Sequence, residues 1–359
     1  MTVLLFILGL VMLIAGAELF LNSVDKFGLA WSVSPVVMGL TVVAFATGAP
    51  ELAISLQAAA EGKPDLVLGN ILGSNIANIL LILGIAGLAK PLNITNRIIK
   101  IDVPVVIGAS VLLYILAMDG SLTPIDGFII LTALVVYSLF IYRQIKKDRQ
   151  VNRARNEENP SKLDEPVTAW FYTKYVLILL VGLVFIVLGS RWMVDSAVEI
   201  AGVLGISELI IGLTIVSIGT SLPEVATSLS AVRNNDSDTA VANVMGSNLY
   251  NIFLTLGLTI VVAPGALSVS PDALKLDMPI MIGVAIACLP LFWPGKQLGR
   301  IEAAGFLFYY MAYMAYLVLI AIQHPLKDTM EWWMVWLIMP LTVVLIITKF
   351  GMDYKRERL

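Results

Sequence analysis

Residues 39–55 read GLTVVAFATGAPELAIS, and residues 212–228 read GLTIVSIGTSLPEVATS, an offset of 173. The offset holds through a second stretch, GNILGSNIANILLILG at 69–84 against ANVMGSNLYNIFLTLG at 242–257, and over 39–84 against 212–257 as a whole 21 of 46 positions are identical without a gap. An internal repeat constrains a fold more than any single local signal, because both copies must accept the same local structure. Each copy also sets one carboxylate, Glu51 or Glu224, deep in an apolar run. Where such a run lies in a membrane, an ionisable group is costly to place and marks a functional site.

The surroundings of the repeat are membrane-like. The chain is 58% hydrophobic and only 14% charged, against about 45–50% and 25% for a soluble domain. With about 20 apolar residues needed per spanning helix, the sequence predicts an all-α polytopic membrane protein with spans near 3–21, 35–59, 66–88, 103–118, 125–142, 171–190, 207–232, 239–262, 278–293, 303–322 and 332–348, eleven in all. An outside N-terminus places 19 of the 23 basic residues in cytoplasmic loops and the tail, leaving Lys63, Arg191, Lys275 and Lys327 outside. The positive-inside rule selects this orientation, with a cytoplasmic C-terminus. The first apolar run ends in Ala15-Gly16-Ala17, like a cleavage site, but lacks a basic leader. Gly9, Leu10, Val11, Gly16 and Ser23 recur as Gly182, Leu183, Val184, Gly189 and Ser196, so the first span is expected to stay as part of the repeat.

Beyond the motifs, Lys100-Ile-Asp-Val-Pro104 answers Lys275-Leu-Asp-Met-Pro279. The repeat therefore covers five spans, dividing the chain into a first repeat at 1–142, a charged cytoplasmic linker at 143–169, a second repeat at 170–322, and an added span with a basic tail at 323–359. Five is odd, so the second copy crosses the membrane in the opposite sense. Two inverted five-helix repeats plus one extra C-terminal helix is a secondary-transporter design, whose binding site lies at the midplane on interrupted helices.

Thr47, Glu51 and Ser55 recur every four residues and share a helix face, as do Thr220, Glu224 and Ser228. Pro50 and Pro223 precede the acids; each removes a backbone donor and breaks or kinks its helix. In the second motif Ser74 and Asn78, and likewise Ser247 and Asn251, stand four apart. All these donors are oxygens, the set a hard cation such as Ca²⁺ prefers. Asn75 and Asn248 read instead as interhelical hydrogen-bonding groups, and Gly73 and Gly246 as close-approach points. Asp102 and Asp277 read as structural acids at helix starts, and Glu18, with Arg191 at its equivalent position, as an interface anchor. One Cys288 and one His324 leave no disulfide framework and no multi-His or multi-Cys metal site. No enzyme activity, resident cofactor or nucleic-acid partner is expected. The expected partners are inorganic cations and the lipid bilayer, with the oligomeric state open. Two carboxylates are neutralised by one divalent or two monovalent cations, and an unloaded site of that charge resists occlusion; antiport follows from that arithmetic.

The paired phrases ATGAPE at 46–51 with GSNIANI at 73–79, and GTSLPE at 219–224 with GSNLYNI at 246–252, resemble the two alpha repeats of the calcium/sodium antiporter (cation/calcium exchanger) family in its short bacterial form. The resemblance covers the chain to about residue 322. It implies alternating-access exchange of Na⁺ for Ca²⁺, with H⁺ or K⁺ coupling or another transported cation as the alternative. It also implies ion ligands at Thr47, Glu51, Ser74, Asn78, Thr220, Ser221, Glu224, Ser247 and Asn251, carbonyls near Ala44 and Ser217, and a sliding first helix in each repeat. The chain departs from the family at Gly48, which stands where its own second copy has Ser221, and at Asn251, where related exchangers often carry Asp. These two positions bear on coupling ion and stoichiometry. The eleventh span is unusual for the family.

Overall fold

The computed structural model describes residues 2–158, 166–203, 217–344 and 348. The first repeat comprises α1 (Thr2–Trp31), α2 (Pro35–Thr47), α3 (Ala49–Ala60), α4 (Pro64–Ala89), α5 (Ile98–Ala117) and α6 (Pro124–Glu158). The second comprises α7 (Ala169–Val203), α8 (Ser217–Thr220), α9 (Leu222–Arg233), α10 (Ser237–Val262), α11 (Ala273–Phe292) and α12 (Arg300–Ala321). A last helix, α13 (Leu326–Trp333), runs on through a π-helical turn, Met334–Ile338. Among the described residues eight helices are long and apolar enough to span a membrane, and the pair α2 and α3, bent by 42°, makes a ninth. The remaining two of the eleven expected spans, at 207–232 and 332–348, fall partly outside the described residues. The charged segment read as a linker begins as helix, since α6 continues to Glu158.

The repeats are inverted, and four short strands demonstrate it. Leu92–Asn93 (β1) pairs antiparallel with Gln297–Leu298 (β4), and Ser121–Leu122 (β2) with Leu267–Ser268 (β3). By the repeat, β1 corresponds to β3. The span α5 separates β1 from β2, so β2 and its partner β3 lie at the membrane face opposite β1. Equivalent loops thus emerge on opposite sides.

The two copies are also interlocked. A Cβ at Gly84 on α4 would meet Leu307 Cγ of α12 at 2.7 Å, and one at Gly257, the equivalent position on α10, would meet Ile130 Cγ2 of α6 at 2.9 Å. The third span of each repeat therefore seats on the fifth span of the other. The first helices pair likewise: Gly9 faces Gly189 and Gly16 faces Gly182, where any Cβ would come within 3.0 Å of the opposing backbone. Such small residues let membrane helices approach closely. The central windows of α4 and α10 are 78% buried, against 22–44% for the other long spans, so these two helices form the core and the rest face lipid on one side.

Three local expectations are refined. Gly246 is a close-approach point, its would-be Cβ 2.7 Å from Ala44 Cβ, whereas Gly73 has no described atom within 4 Å. Asp102 and Asp277 do not sit in the first turn of their spans, which start earlier, at Ile98 and Ala273. Both acids stand where the π-helical turn passes into the α-helix and both have side-chain partners: Asp102 is fully buried against Arg97 Nε at 3.5 Å, and Asp277 accepts a hydrogen bond from Tyr313 Oη at 2.8 Å. Glu18 forms an exposed ion pair with Arg233 at 2.7 Å, tying the end of the α1 membrane segment to α9.

Candidate cation site

Both Glu-bearing segments are broken helices. The break falls at Gly48 (φ −78°, ψ 0°) in the first copy and at Ser221 (φ −88°, ψ 3°) in the second, and each is followed by a helix with Pro in its first turn. Proline tolerates that position because its missing N–H would have no partner there anyway. The consequence is electrostatic: the N-termini of α3 and α9, the positive ends of their dipoles, open within the membrane, and Glu51 and Glu224 occupy their first turns. The Ala44 carbonyl accepts from Gly48 N–H at 3.1 Å, leaving it one further lone pair.

Each of the two glutamates is 1% exposed, and none of their four carboxylate oxygens has a hydrogen-bond partner. The two acids lie close enough for their charges to interact. The hydroxyls of Thr47, from the first repeat, and Ser247, from the second, lie near the Glu224 carboxylate without meeting hydrogen-bond geometry; Thr47 Oγ1 itself donates to Val43 O at 3.1 Å. Ser74, Ser221 and Ser247 are buried with unpartnered hydroxyls, and Asn78 and Asn251 with unpartnered Oδ1 atoms. The side chain of Thr220 lies outside the described residues. Among the described residues no Lys or Arg pairs with either Glu, and no group of three or more His, Cys, Asp or Glu is present. Two unbalanced carboxylates are thus buried, with the hydroxyls of Thr47 and Ser247 near Glu224 and Asn251 Oδ1 near the helix break at Gly48. Leaving buried oxygens unpaired is costly, and a desolvated cation is the group that would satisfy them.

The amide oxygens are aimed by a four-asparagine lattice where α4 and α10 meet. Asn78 Nδ2 donates to Asn248 Oδ1 at 2.9 Å and Asn251 Nδ2 to Asn75 Oδ1 at 3.1 Å. Asn75 and Asn248 in turn donate to each other's backbone carbonyls at 3.4 and 3.3 Å. With its NH₂ engaged, each of Asn78 and Asn251 presents an unpartnered carbonyl oxygen. A π-helical turn begins on each of them, Asn78–Ile82 and Asn251–Leu256, the kind of local unwinding that re-aims side chains at functional sites.

Two residues that the motif reading passed over brace the carboxylate helices. Asn70 donates to Glu51 O at 3.1 Å and Ser55 Oγ at 3.0 Å; Asn243 donates to Thr227 Oγ1 at 3.1 Å and Ser228 Oγ at 3.2 Å, and accepts from Thr47 at 3.5 Å. The signal was available, since Asn70 and Asn243 are themselves a repeat pair. Ser55 and Ser228, on the Glu face, are taken up in this bracing.

A family model described as "Sodium/calcium exchanger protein" matches residues 1–143 and 174–319. The chain belongs to that family. It is 31% identical over 344 residues to the sodium/calcium exchanger MaX1 of Methanosarcina acetivorans, covering 88% of this chain and 97% of the relative. It is 33% identical over 311 residues to the inner membrane protein YrbG of Escherichia coli, covering 84% and 94%. Among solved structures, the sodium-calcium exchanger NCX_Mj soaked with zero Na⁺ and Ca²⁺ superposes with a TM-score of 0.74 at 27% identity, covering 88% of this chain and 98% of that one. The chain is accordingly a multi-pass membrane transporter of inorganic cations, all-helical, built from two inverted repeats.

Proposed function

We propose that this protein exchanges Na⁺ for Ca²⁺ by alternating access at the Glu51/Glu224 site. The observation that carries the reading is that two buried carboxylates, one from each inverted repeat, lie close enough for their charges to interact, with all four oxygens unpartnered. The ligands are Glu51, Glu224, Thr47, Thr220, Ser221, Ser74, Ser247, Asn78 and Asn251. Oxygen alone lines this set, which favours a hard cation over a soft transition metal. One Ca²⁺ or two Na⁺ neutralise the carboxylates, so either load can be occluded, whereas the unloaded site would bury net charge. That coupling makes exchange obligatory.

The transport core is residues 1–142 and 170–322, joined by a cytoplasmic linker at 143–169. The span after residue 323 stands outside that core, held to α12 by Tyr309 on Thr342 and by Tyr316 Oη on Glu331 at 3.0 Å. The glycine-lined crossing of α1 and α7 supports these helices as the moving pair. The orientation is N-terminus outside and C-terminus cytoplasmic, in a bacterial inner membrane. The experiment is ⁴⁵Ca²⁺ uptake into Na⁺-loaded proteoliposomes, with K⁺-loaded and pH-gradient vesicles alongside. Uptake that ignores Na⁺, or that persists in Glu51→Gln and Glu224→Gln, overturns the reading.

A further inference from the structure

The helix pair that carries each carboxylate is pinned differently in the two copies. Asn70, Ser74 and Asn78 stand four apart and share one face of α4, so a clamp made by Asn70 is in register with two ligands of the site. The buried Asn70 amide gives both its hydrogens to α3, one to Ser55 Oγ at 3.0 Å and one to the main-chain carbonyl of Glu51 at 3.1 Å. A carbonyl can only accept, which fixes the amide's orientation. Asn243, its repeat partner, gives both hydrogens to side chains, Thr227 Oγ1 at 3.1 Å and Ser228 Oγ at 3.2 Å. The sequence explains the difference. Ser228 answers Ser55, but Thr227 answers Ile54, which has no oxygen to offer, and the second hydrogen of Asn70 goes to Glu51 O instead. In the second copy Thr227 stands between: it takes the Asn243 hydrogen, and its own hydroxyl lies 2.9 Å from Pro223 O and 3.2 Å from Glu224 O, within its own helix. Among the described residues, the main chain of Glu51 is thus tied to a neighbouring helix, whereas the side chain that reaches Glu224 O is its own helix's Thr227.

Resting on the Na⁺/Ca²⁺ reading, we infer that Asn70 is a positioning residue that sets the size of divalent cation the site accepts, and that Ile54 is what directs it onto Glu51. Discrimination among hard divalent cations follows from cavity size and ligand flexibility, with Ca²⁺ asking for oxygens at about 2.3–2.6 Å. The Asn70 clamp makes Glu51 travel with α4, so its carboxylate keeps a fixed spacing from Ser74 and Asn78. A larger ion such as Sr²⁺ has to part those oxygens, and parting them strains the bond from Asn70 to Glu51 O. Glu224, without that tether, is the carboxylate that adjusts.

The test is calorimetric titration of Ca²⁺ and of Sr²⁺ into the purified protein in Na⁺-free detergent, with Tm read alongside. The wild type is expected to bind Ca²⁺ more tightly than Sr²⁺. Asn70→Ala is expected to narrow that preference about fivefold, the worth of one net hydrogen bond. Ile54→Thr leaves Asn70 in place and offers it the hydroxyl of the second copy; it is expected to narrow the preference in the same direction with Tm unchanged. Ile54→Val, which trims the side chain without adding an oxygen, is expected to keep the wild-type preference. A wild type that binds the two ions equally overturns the inference. So does an Asn70→Ala protein in which both ions weaken alike, or a folded Ile54→Thr protein with the wild-type preference, since either leaves Asn70 only holding helices together. A wild type that shows the preference but takes up no Ca²⁺ under a Na⁺ gradient overturns the exchange reading alone.

Discussion

Asn78 hands its amide N–H to Asn248 at 2.9 Å, across the two most buried long helices among the described residues, and so presents its carbonyl oxygen unpartnered. Asn248 is thereby a positioning residue for a ligand it does not replace. Asn248→Ala removes the acceptor and leaves a buried donor unsatisfied, a loss of about 1–3 kcal/mol. The half-saturating Ca²⁺ concentration is expected to rise about tenfold, in line with that energy, with Asn248→Asp, which keeps an acceptor, less affected in ⁴⁵Ca²⁺ uptake. An equal loss in both variants would show that packing, not the hydrogen bond, matters here.

Glu51→Gln or Glu224→Gln keeps the volume and removes one of the two charges. A divalent cation then leaves net positive charge in the buried site, so Ca²⁺ binding is expected to fall by at least about 100-fold, given about 3 kcal/mol for breaking a buried charge pairing. Isothermal titration in detergent measures this directly. The two single variants are expected to be equally impaired, because the charge of the pair is what the cation reads.

Gly16 and Gly182 allow backbone-to-backbone contact between α1 and α7, with would-be Cβ contacts of 2.7 and 2.8 Å. Gly16→Leu has no flexible neighbour to displace and is expected to lower stability by about 1–3 kcal/mol, read as a lower Tm in detergent. Gly108, exposed with no atom within 4 Å of a would-be Cβ, is the comparison: Gly108→Ala is expected to leave Tm unchanged.

Arg97 and Asp102 form a mostly buried pair at one end of α5, with side-chain exposures of 17% and 0%. Removing one partner leaves the other charge stranded, so Asp102→Leu is expected to destabilise by about 3 kcal/mol. The double variant Arg97→Met with Asp102→Leu is expected to recover most of that Tm loss, which a purely steric role for Asp102 would not allow.

The sequence carried the architecture and the chemistry far, because both were written twice. The offset of 173 located Glu51 and Glu224, the four-residue spacing set Ser74 beside Asn78, and Pro50 and Pro223 marked the broken helices. What it could not carry were relations between residues far apart in the chain. The Asn78–Asn248 bond spans 170 positions, and no local periodicity encodes it. The π-helical turns at Asn78 and Asn251 have no residue signature, since they arise from how two helices seat on each other. The partner of Asp102 escaped for a similar reason: Arg97 lies before the expected span, where the structure is helical from Ile98 onward.

The exchange of partners between repeats, Gly84 of α4 on Leu307 and Gly257 of α10 on Ile130, makes each half the other's scaffold. At these contacts the third span of one half rests on the fifth span of the other, so either half alone would leave that face of its third span uncovered. Folding of the first half is therefore completed only when the second has been made.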